Sequence, residues 1–192
     1  PACDLLIGVG TGSINDLCKF TAFKTKMPYC IVATAPSMDG FASSVAPLIV
    51  NNLKTTYEVG VADAIIGDTK ILSQAPMPMI MAGIADILGK YTCLTDWKMA
   101  QIINGEYYCE TIVQMVRTSL RAVAENLDKA AARDEQTVGK IMEALVLTGI
   151  AMSFVGNSRP ASGSEHHISH YWEMMFLHEG KKAVLHGTKV GI

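Results

Sequence analysis

Five histidines occur in the chain, and all of them fall between His166 and His186. Imidazole changes charge near neutral pH and is the commonest nitrogen ligand for a divalent metal, so this clustering is the first chemical signal. In SGSEHHISHYWEM, residues 162–174, His166 and His170 stand four residues apart. At about 100° per residue they share one helix face, with His167 turned away. His186 follows Val184 and Leu185 and precedes Gly187 in LHGTKVG, where a helix start can bring it back toward the same face. His178, in FLHEGKK, reads as an ordinary surface residue. Histidine nitrogens joined by one carboxylate, with a position left open, make a catalytic rather than a structural zinc set. Asp86 interrupts the apolar MIMAGIADILG; inside the fold it must be paired, hydrogen-bonded or metal-bound, whereas on a helix surface it needs no partner.

Two loops carry further chemistry. GVGTGSIND (8–16) puts three glycines between an apolar run and a helix start, a spacing that serves either a phosphate grip or a plain tight turn. It departs from G-x-G-x-x-G because Ser13 stands where the last glycine belongs; Ser13 reads instead as N-cap, with Asp16 as its capping-box partner. Asp39, in PSMDG, follows an apolar strand at the end where α/β sheets bind ligands, although a turn aspartate before Gly40 has the same local pattern.

The elements that must position these residues change character along the chain. Apolar runs at 4–10, 29–34 and 63–68 read as strands, 13–25 as a helix and 41–50 as helical or partly so. Such strands imply a parallel sheet covered on both faces. Beyond GDTKIL (67–72) and the prolines Pro76 and Pro78 only helical periods remain, at 79–91, 106–131, 134–156 and 162–176. The expected fold is α/β, with a truncated Rossmann-like parallel-sheet part over 1–72 and an all-α part over 73–192.

Composition narrows the partners. With 49% hydrophobic residues, 18% charged and a net charge of -2, the chain is globular and offers no electrostatic reason to bind nucleic acid or an anionic membrane. A small molecule is the expected partner. The uncharged stretch Ala144 to Ser158 is shorter than the roughly 18 residues a membrane span needs and reads as a core helix. Five scattered cysteines without CxxC spacing suit a reducing cytoplasm. A chain that starts Pro1-Ala2-Cys3-Asp4, without methionine, reads as cut from a longer one.

Taken in order, GVGTGSIND, APSMDGFASSVAP, DTKIL, AGIADILGKYTCLTDW, EYYCE, RPASGSEHHISHYWEM and HGTKVG resemble the sn-glycerol-1-phosphate dehydrogenases, above all their bacterial branch. That family lies within the iron-containing alcohol dehydrogenase and dehydroquinate synthase group. The resemblance implies a dehydroquinate synthase-like fold and reversible reduction of dihydroxyacetone phosphate to sn-glycerol 1-phosphate, for glycerophospholipid synthesis. It implies NAD or NADP and one divalent metal, with zinc first and nickel or iron as alternatives. By resemblance Asp86, His166 and His186 are the metal ligands, and Asp86, His170 and Asp39 touch substrate. The helix-face reading had made His170 a ligand as well; the family assigns only His166.

Gly10, Thr11, Gly12, Ser13 and Ile14 resemble the pyrophosphate loop, and Thr34, Ala35, Pro36, Ser37 and Ser43 resemble further nucleotide contacts. Catalytic roles fall to Asp86 and His170. The family also implies a cytoplasmic homo-oligomer once the protein is whole. Relatives carry about as much chain again outside this segment: a first strand-helix-strand unit, where NAD is told from NADP, and the last helices. Ala85 stands where relatives often have glycine. Two competing functions share these residues: a small-alcohol dehydrogenase with the same metal triad and no phosphate grip, and a non-catalytic remnant. The chain alone is expected to be weakly active at most, because an open sheet edge leaves the cofactor pocket incomplete.

Overall fold

The structure is a computed structural model, described here for residues 3–51 and 53–192. Strand β1 (Leu6–Gly10) leads through helix α1 (Gly12–Thr25) to β2 (Tyr29–Ala33). After a 3-10 turn at Gly40–Ala42 come β3 (Val45–Val50), β4 (Leu53–Glu58) and β5 (Ala64–Ile66). The rest is helical: α2 (Thr69–Ser73), α3 (Met77–Asn104), α4 (Glu110–Ala124), α5 (Leu127–Ala131), α6 (Glu135–Val155), α7 (Ser164–His178) and α8 (His186–Val190). The α/β class and the order of sheet before helices stand as expected.

β1, β2 and β5 form a parallel sheet with β2 in the centre; Gly10 pairs with Ala33 and Val32 with Ile66. Two sequence expectations fail here. First, the sheet is not covered on both faces, because Ile7 and Val9 of β1 are exposed, as are Leu17 and Phe23 of α1. Second, residues 41–50 are helical only at Phe41 and Ala42, the end of the 3-10 turn. Past the 3-10 turn they enter β3, which pairs antiparallel with β4 from Val45↔Glu58 to Val50↔Leu53. Asn51, at a left-handed φ of 51°, turns the chain out of β3, a conformation asparagine tolerates better than most residues.

The helices take their ends from recognisable signals. Pro78 lies in the first turn of α3, where its missing N–H costs nothing, and α3 and α6 stop at Gly105 and Gly156 with φ of 67° and 75°. Asp68 and Asp134 cap α2 and α6 by accepting the N–H groups of Ile71 and Thr137. One apolar core runs from Ile31 and Ala33 of β2 through Leu72 to Ile80, Ile84 and Ile87 of α3 and Ile141 and Leu145 of α6. A smaller one gathers Leu94 and Trp97 with Val113, Val116 and Ala151. Helix α6 is, among the described residues, the one helix long and apolar enough to cross a membrane by length and composition; here it packs in the core against α2, α3 and α4.

Two glycines set the close approaches that build the site. A Cβ on Gly83 would run into the Pro36 carbonyl, and one on Gly187 into the Ala82 carbonyl. The loop after β2 and helix α8 can therefore both lie directly on α3. The methyl of Ala85 is accommodated because it faces Gly191, where an added Cβ would come within 2.5 Å of it.

Candidate metal and substrate site

Asp86 lies fully buried in α3 and is no surface residue. Its Oδ2 accepts the backbone N–H of Asp39 at 2.9 Å, and its Oδ1 accepts from the Lys90 ammonium at 2.9 Å. Lys90, one helical turn further and equally buried, also donates to Asp39 Oδ2 at 2.6 Å and to the Ala161 carbonyl at 2.9 Å. On the other side stand the imidazoles. His166 Nε2 is 3.9 Å from Asp86 Oδ1 and 3.3 Å from His186 Nε2. One donor atom from each of Asp39, Asp86, His166 and His186 falls within 4.8 Å of all the others. Four elements supply them: the loop after β2, the middle of α3, and the first turns of α7 and α8.

Charge in this cluster is uneven. Two carboxylates face one ammonium, leaving one negative charge turned toward the two imidazoles. Burial by itself would raise Asp39, but Lys90, with His166 and His186, outweighs it and holds the carboxyl at about 2. Burial would likewise strip a proton from Lys90, yet Asp39 and Asp86 keep it firmly charged, above the ordinary lysine range. His186 is pushed down by burial, against the pull of Asp86. A neutral imidazole is the form that ligates metal.

The donor set fits a divalent cation. Bonds of about 2.0–2.1 Å at a tetrahedral angle separate two ligand atoms by about 3.3 Å, which matches the gap between the two Nε2 atoms. His166 Nδ1 lies 2.7 Å from Glu165 Oε1, the carboxylate contact that fixes a ligating imidazole and leaves its Nε2 for metal. Hydrogen bonds from His166 and the Gly163 N–H keep Glu165 ionised, its pKa lowered despite burial.

His170 stands apart from this contact. Its ring centre is 6.1 Å from that of His166 and 6.0 Å from that of His186, at the rim and exposed to solvent. Partial desolvation, then Lys54 and the two histidines, lower its pKa, so it too is neutral at neutral pH. His167 is exposed on the far side of α7.

The glycine loop lies at the C-terminal end of the sheet. Thr34 N–H bonds the Gly10 carbonyl at 3.0 Å, so the segments 10–14 and 34–37 run side by side. Helix α1 begins at Gly12 with Thr11 as N-cap, two residues earlier than the sequence suggested. Ser13 is thus inside the first turn rather than the cap, and Asp16 turns to Lys19 at 3.9 Å instead of closing a capping box. No side chain caps this end, which leaves its amides available to an anion. Gly10 is required for packing, since a Cβ there would meet Ile14 at 2.5 Å, while Gly12 faces Met38. Ala35, Pro36 and Ser37 are buried, and Ser43 Oγ is taken by Lys19 at 2.9 Å.

Comparison with known proteins gives this geometry a context. Residues 1–76 match the family model described as iron-containing alcohol dehydrogenase. The glycerol-1-phosphate dehydrogenase [NAD(P)+] of Geobacillus thermodenitrificans is 45% identical over 189 residues, 98% of this chain and 47% of that protein. The chain is homologous to one half of a glycerol-1-phosphate dehydrogenase. The relation reaches archaea, with 39% identity to the enzyme of that name from Methanosarcina mazei, over 97% of this chain and 51% of that protein. This chain thus spans about half the length of the relatives it matches. Among solved structures, a probable glycerol dehydrogenase from Sinorhizobium meliloti 1021 superposes with a TM-score of 0.79 at 22% identity, covering 98% of this chain and 54% of that one. The iron-containing alcohol dehydrogenase of Thermotoga maritima does so at 0.76 and 15% identity, covering 100% and 53%. These likenesses show the fold of this chain.

Several residues of the site were not singled out from the sequence, and they differ in whether a signal was there to find. Lys90 had one, a cation four residues after Asp86 on an otherwise apolar helix. Glu165 adjoins His166 in sequence. Lys19, Lys54 and Lys189 had none, because each meets its partner on another element of the fold.

Proposed function

We propose that the protein containing this chain is a metal-dependent, NAD(P)-linked dehydrogenase that reversibly reduces dihydroxyacetone phosphate to sn-glycerol 1-phosphate, a cytoplasmic homo-oligomer serving glycerophospholipid synthesis. The observation that carries the reading is the meeting of Asp39, Asp86, His166 and His186 donor atoms within 4.8 Å, beside the loop that follows β2. The homologues support the substrate and the cofactor by name.

In this reading Asp86, His166 and His186 would hold the divalent ion, which when bound supplies Lewis-acid polarisation of the ketone oxygen. Zinc is the first choice for two imidazoles and a carboxylate, with nickel or iron as alternatives. Gly10 to Ile14 would hold the pyrophosphate of NAD or NADP, whose reduced form would supply the hydride for ketone reduction, and Thr34 to Ser37 with Ser43 would shape the adjoining wall. The remaining work belongs to the protein. Asp39, kept ionised by Lys90, accepts a substrate hydroxyl and fixes its direction. His170, neutral and in reach of solvent, carries the proton that the alcohol oxygen gains or loses. We take residues 1–72 as the nucleotide-binding part and 73–192 as the metal- and substrate-binding part, each completed by further chain in the whole protein, and the chain alone as weakly active at most.

Oxidation assays on the full-length protein with NAD+ or NADP+ test this directly. Glycerol 1-phosphate should be strongly preferred over glycerol, and His186→Ala should remove both bound metal and turnover. Equal use of glycerol, or stoichiometric metal retained by the variant, would overturn the proposal.

A further inference from the structure

Beside the metal-type cluster lies a second group of charges that no step above uses. Lys54 of β4 reaches across to α7 and bonds Glu173 Oε2 at 2.5 Å, while Lys189 of α8 approaches the same oxygen at 3.4 Å. Both ammonium groups are largely buried, with 13% and 4% of their side chains exposed. Two such cations share a single carboxylate. Burying a charge without a counter-charge is costly, so an excess of one positive charge in a half-closed place calls for an anion from outside. The next carboxylate, Asp16, does not fill that need: it sits 3.9 Å from Lys19, and burial raises its own pKa to about 7.

Position adds to charge. Glu173 is three residues after His170 on α7, and Lys189 three residues after His186 on α8. Each pair shares a helix face, one turn or about 5 Å apart. Through Glu173 and Lys189 the cationic pair therefore stands about one helical turn from the two histidines. In a triose phosphate the phosphorus is separated from the ketone carbon by one methylene and one ester oxygen, so a phosphate grip belongs about one helical turn from the group that handles the carbonyl. Lys54 comes from the β3–β4 hairpin, which the sequence did not announce. Its place in the fold brings a strand from the sheet side onto α7 of the helical side.

We propose that Lys54 and Lys189 form a phosphomonoester subsite, and that Glu173 is the internal anion the incoming phosphate displaces. The subsite rests on the activity proposed above, and it makes phosphate, rather than the triol alone, the feature the site selects.

The test uses the full-length protein in wild-type form and as Lys54→Ala, Lys189→Ala and Glu173→Gln variants, with inorganic phosphate as the probe in calorimetric titration and glycerol 1-phosphate in steady-state kinetics. Each lysine variant should weaken phosphate binding and raise the KM for glycerol 1-phosphate about tenfold or more, the loss of one charge-assisted contact, with the KM for NAD+ and NADP+ unchanged. Glu173→Gln should do the reverse and tighten phosphate binding, because the competing carboxylate is gone. A purely structural ion pair would weaken binding in all three variants, which overturns the proposal, as does a shift confined to NADP+. If a lysine variant does not fold, Glu173→Gln decides alone, and unchanged or weaker phosphate binding sinks the subsite. The two proposals fail separately: glycerol 1-phosphate turned over with an unaltered KM in the lysine variants removes the subsite only. Phosphate bound through the lysines by a protein that does not oxidise glycerol 1-phosphate removes the activity only.

Discussion

Lys19 and Lys90 are both buried, and they grip neighbouring residues of one loop from two different helices. Lys19 of α1 donates to the carbonyls of Gly40 and Val45 and to Ser43 Oγ. Lys90 of α3 donates to the carboxylates of Asp39 and Asp86 and to the Ala161 carbonyl. The consequences for their protons are opposite. Burial lowers Lys19 to about 8, and Asp16 and Asp39 only partly resist, whereas the two carboxylates raise Lys90 above its ordinary range in spite of burial. Neutral acceptors satisfy a buried ammonium's hydrogen bonds without supplying the opposite charge that keeps it ionised cheaply. The loop is thus held from α1 by a cation close to neutrality, and the acid pair beneath the histidines from α3 by a permanent one.

Lys90→Met should break this comparison most severely. It leaves Asp39 and Asp86 buried against each other without a counter-charge, and breaking such a group typically costs about 3–5 kcal/mol. The sign with pH also follows. In the wild type Asp39 is held at about 2, so its contribution is present above the unfolded value near 4 and lost as pH falls through 2. Without Lys90 its carboxyl is raised instead, and the variant should lose least stability in acid. Thermal melts of the full-length protein from pH 4 to 8 measure this; a uniform loss at every pH would show that packing, not charge, is what Lys90 supplies.

How much of this was legible in the sequence depended on how local each signal was. The strands at 4–10, 29–34 and 63–68 are short apolar runs closed by glycine, proline or aspartate, and they appear as β1, β2 and β5. The four helical periods appear too, although α3 runs on from residue 91 to Asn104 because Thr95, Asp96 and Lys98 dilute the apolar count without breaking the helix. Asp86, His166 and His186 were legible as residue types out of place, a carboxylate among apolar neighbours and imidazoles gathered in one stretch of a chain that has none elsewhere. The β3–β4 hairpin was not, since FASSVAPLIV mixes small and apolar residues without strict alternation, and its strand character depends on pairing with 53–58. Buried lysines were hidden for a similar reason. On a helix a lysine normally points to water, and only partners 21 to 26 residues away for Lys19, or 51 and 71 away for Lys90, make burial tolerable.

A gentler break is Lys19→Met. It removes three hydrogen bonds and leaves the Gly40 and Val45 carbonyls without that donor, a cost of about 1–3 kcal/mol, but it also removes the expense of burying a poorly compensated charge. The net loss at neutral pH should therefore be nearer 1 kcal/mol, clearly below that of Lys90→Met. Because Lys19 titrates at about 8 in the fold and near 10.5 unfolded, the unfolded chain binds more protons between those values. Wild-type stability should accordingly rise from pH 8 to 10.5 relative to the variant. Parallel curves over that range would mean that Lys19 is not depressed.

The break with the least effect in acid isolates Asp16, the acid that Lys19 faces at 3.9 Å. Burial raises its pKa to about 7, against the attraction of Lys19 and Lys54, so it disfavours the ionised form in the fold. A folded value above the unfolded 3.8 means that the native state holds the extra proton between them, so this contribution is complete below pH 4 and is lost as pH rises through 7. Asp16→Asn cannot ionise and should remove that decline, flattening the melting curve against pH between 4 and 7 while changing stability in acid by no more than about 0.5 kcal/mol. Should the decline persist in the variant, the titrating group lies elsewhere, and the contrast between a weakly compensated cation on α1 and a fully compensated one on α3 would rest on Lys90 alone.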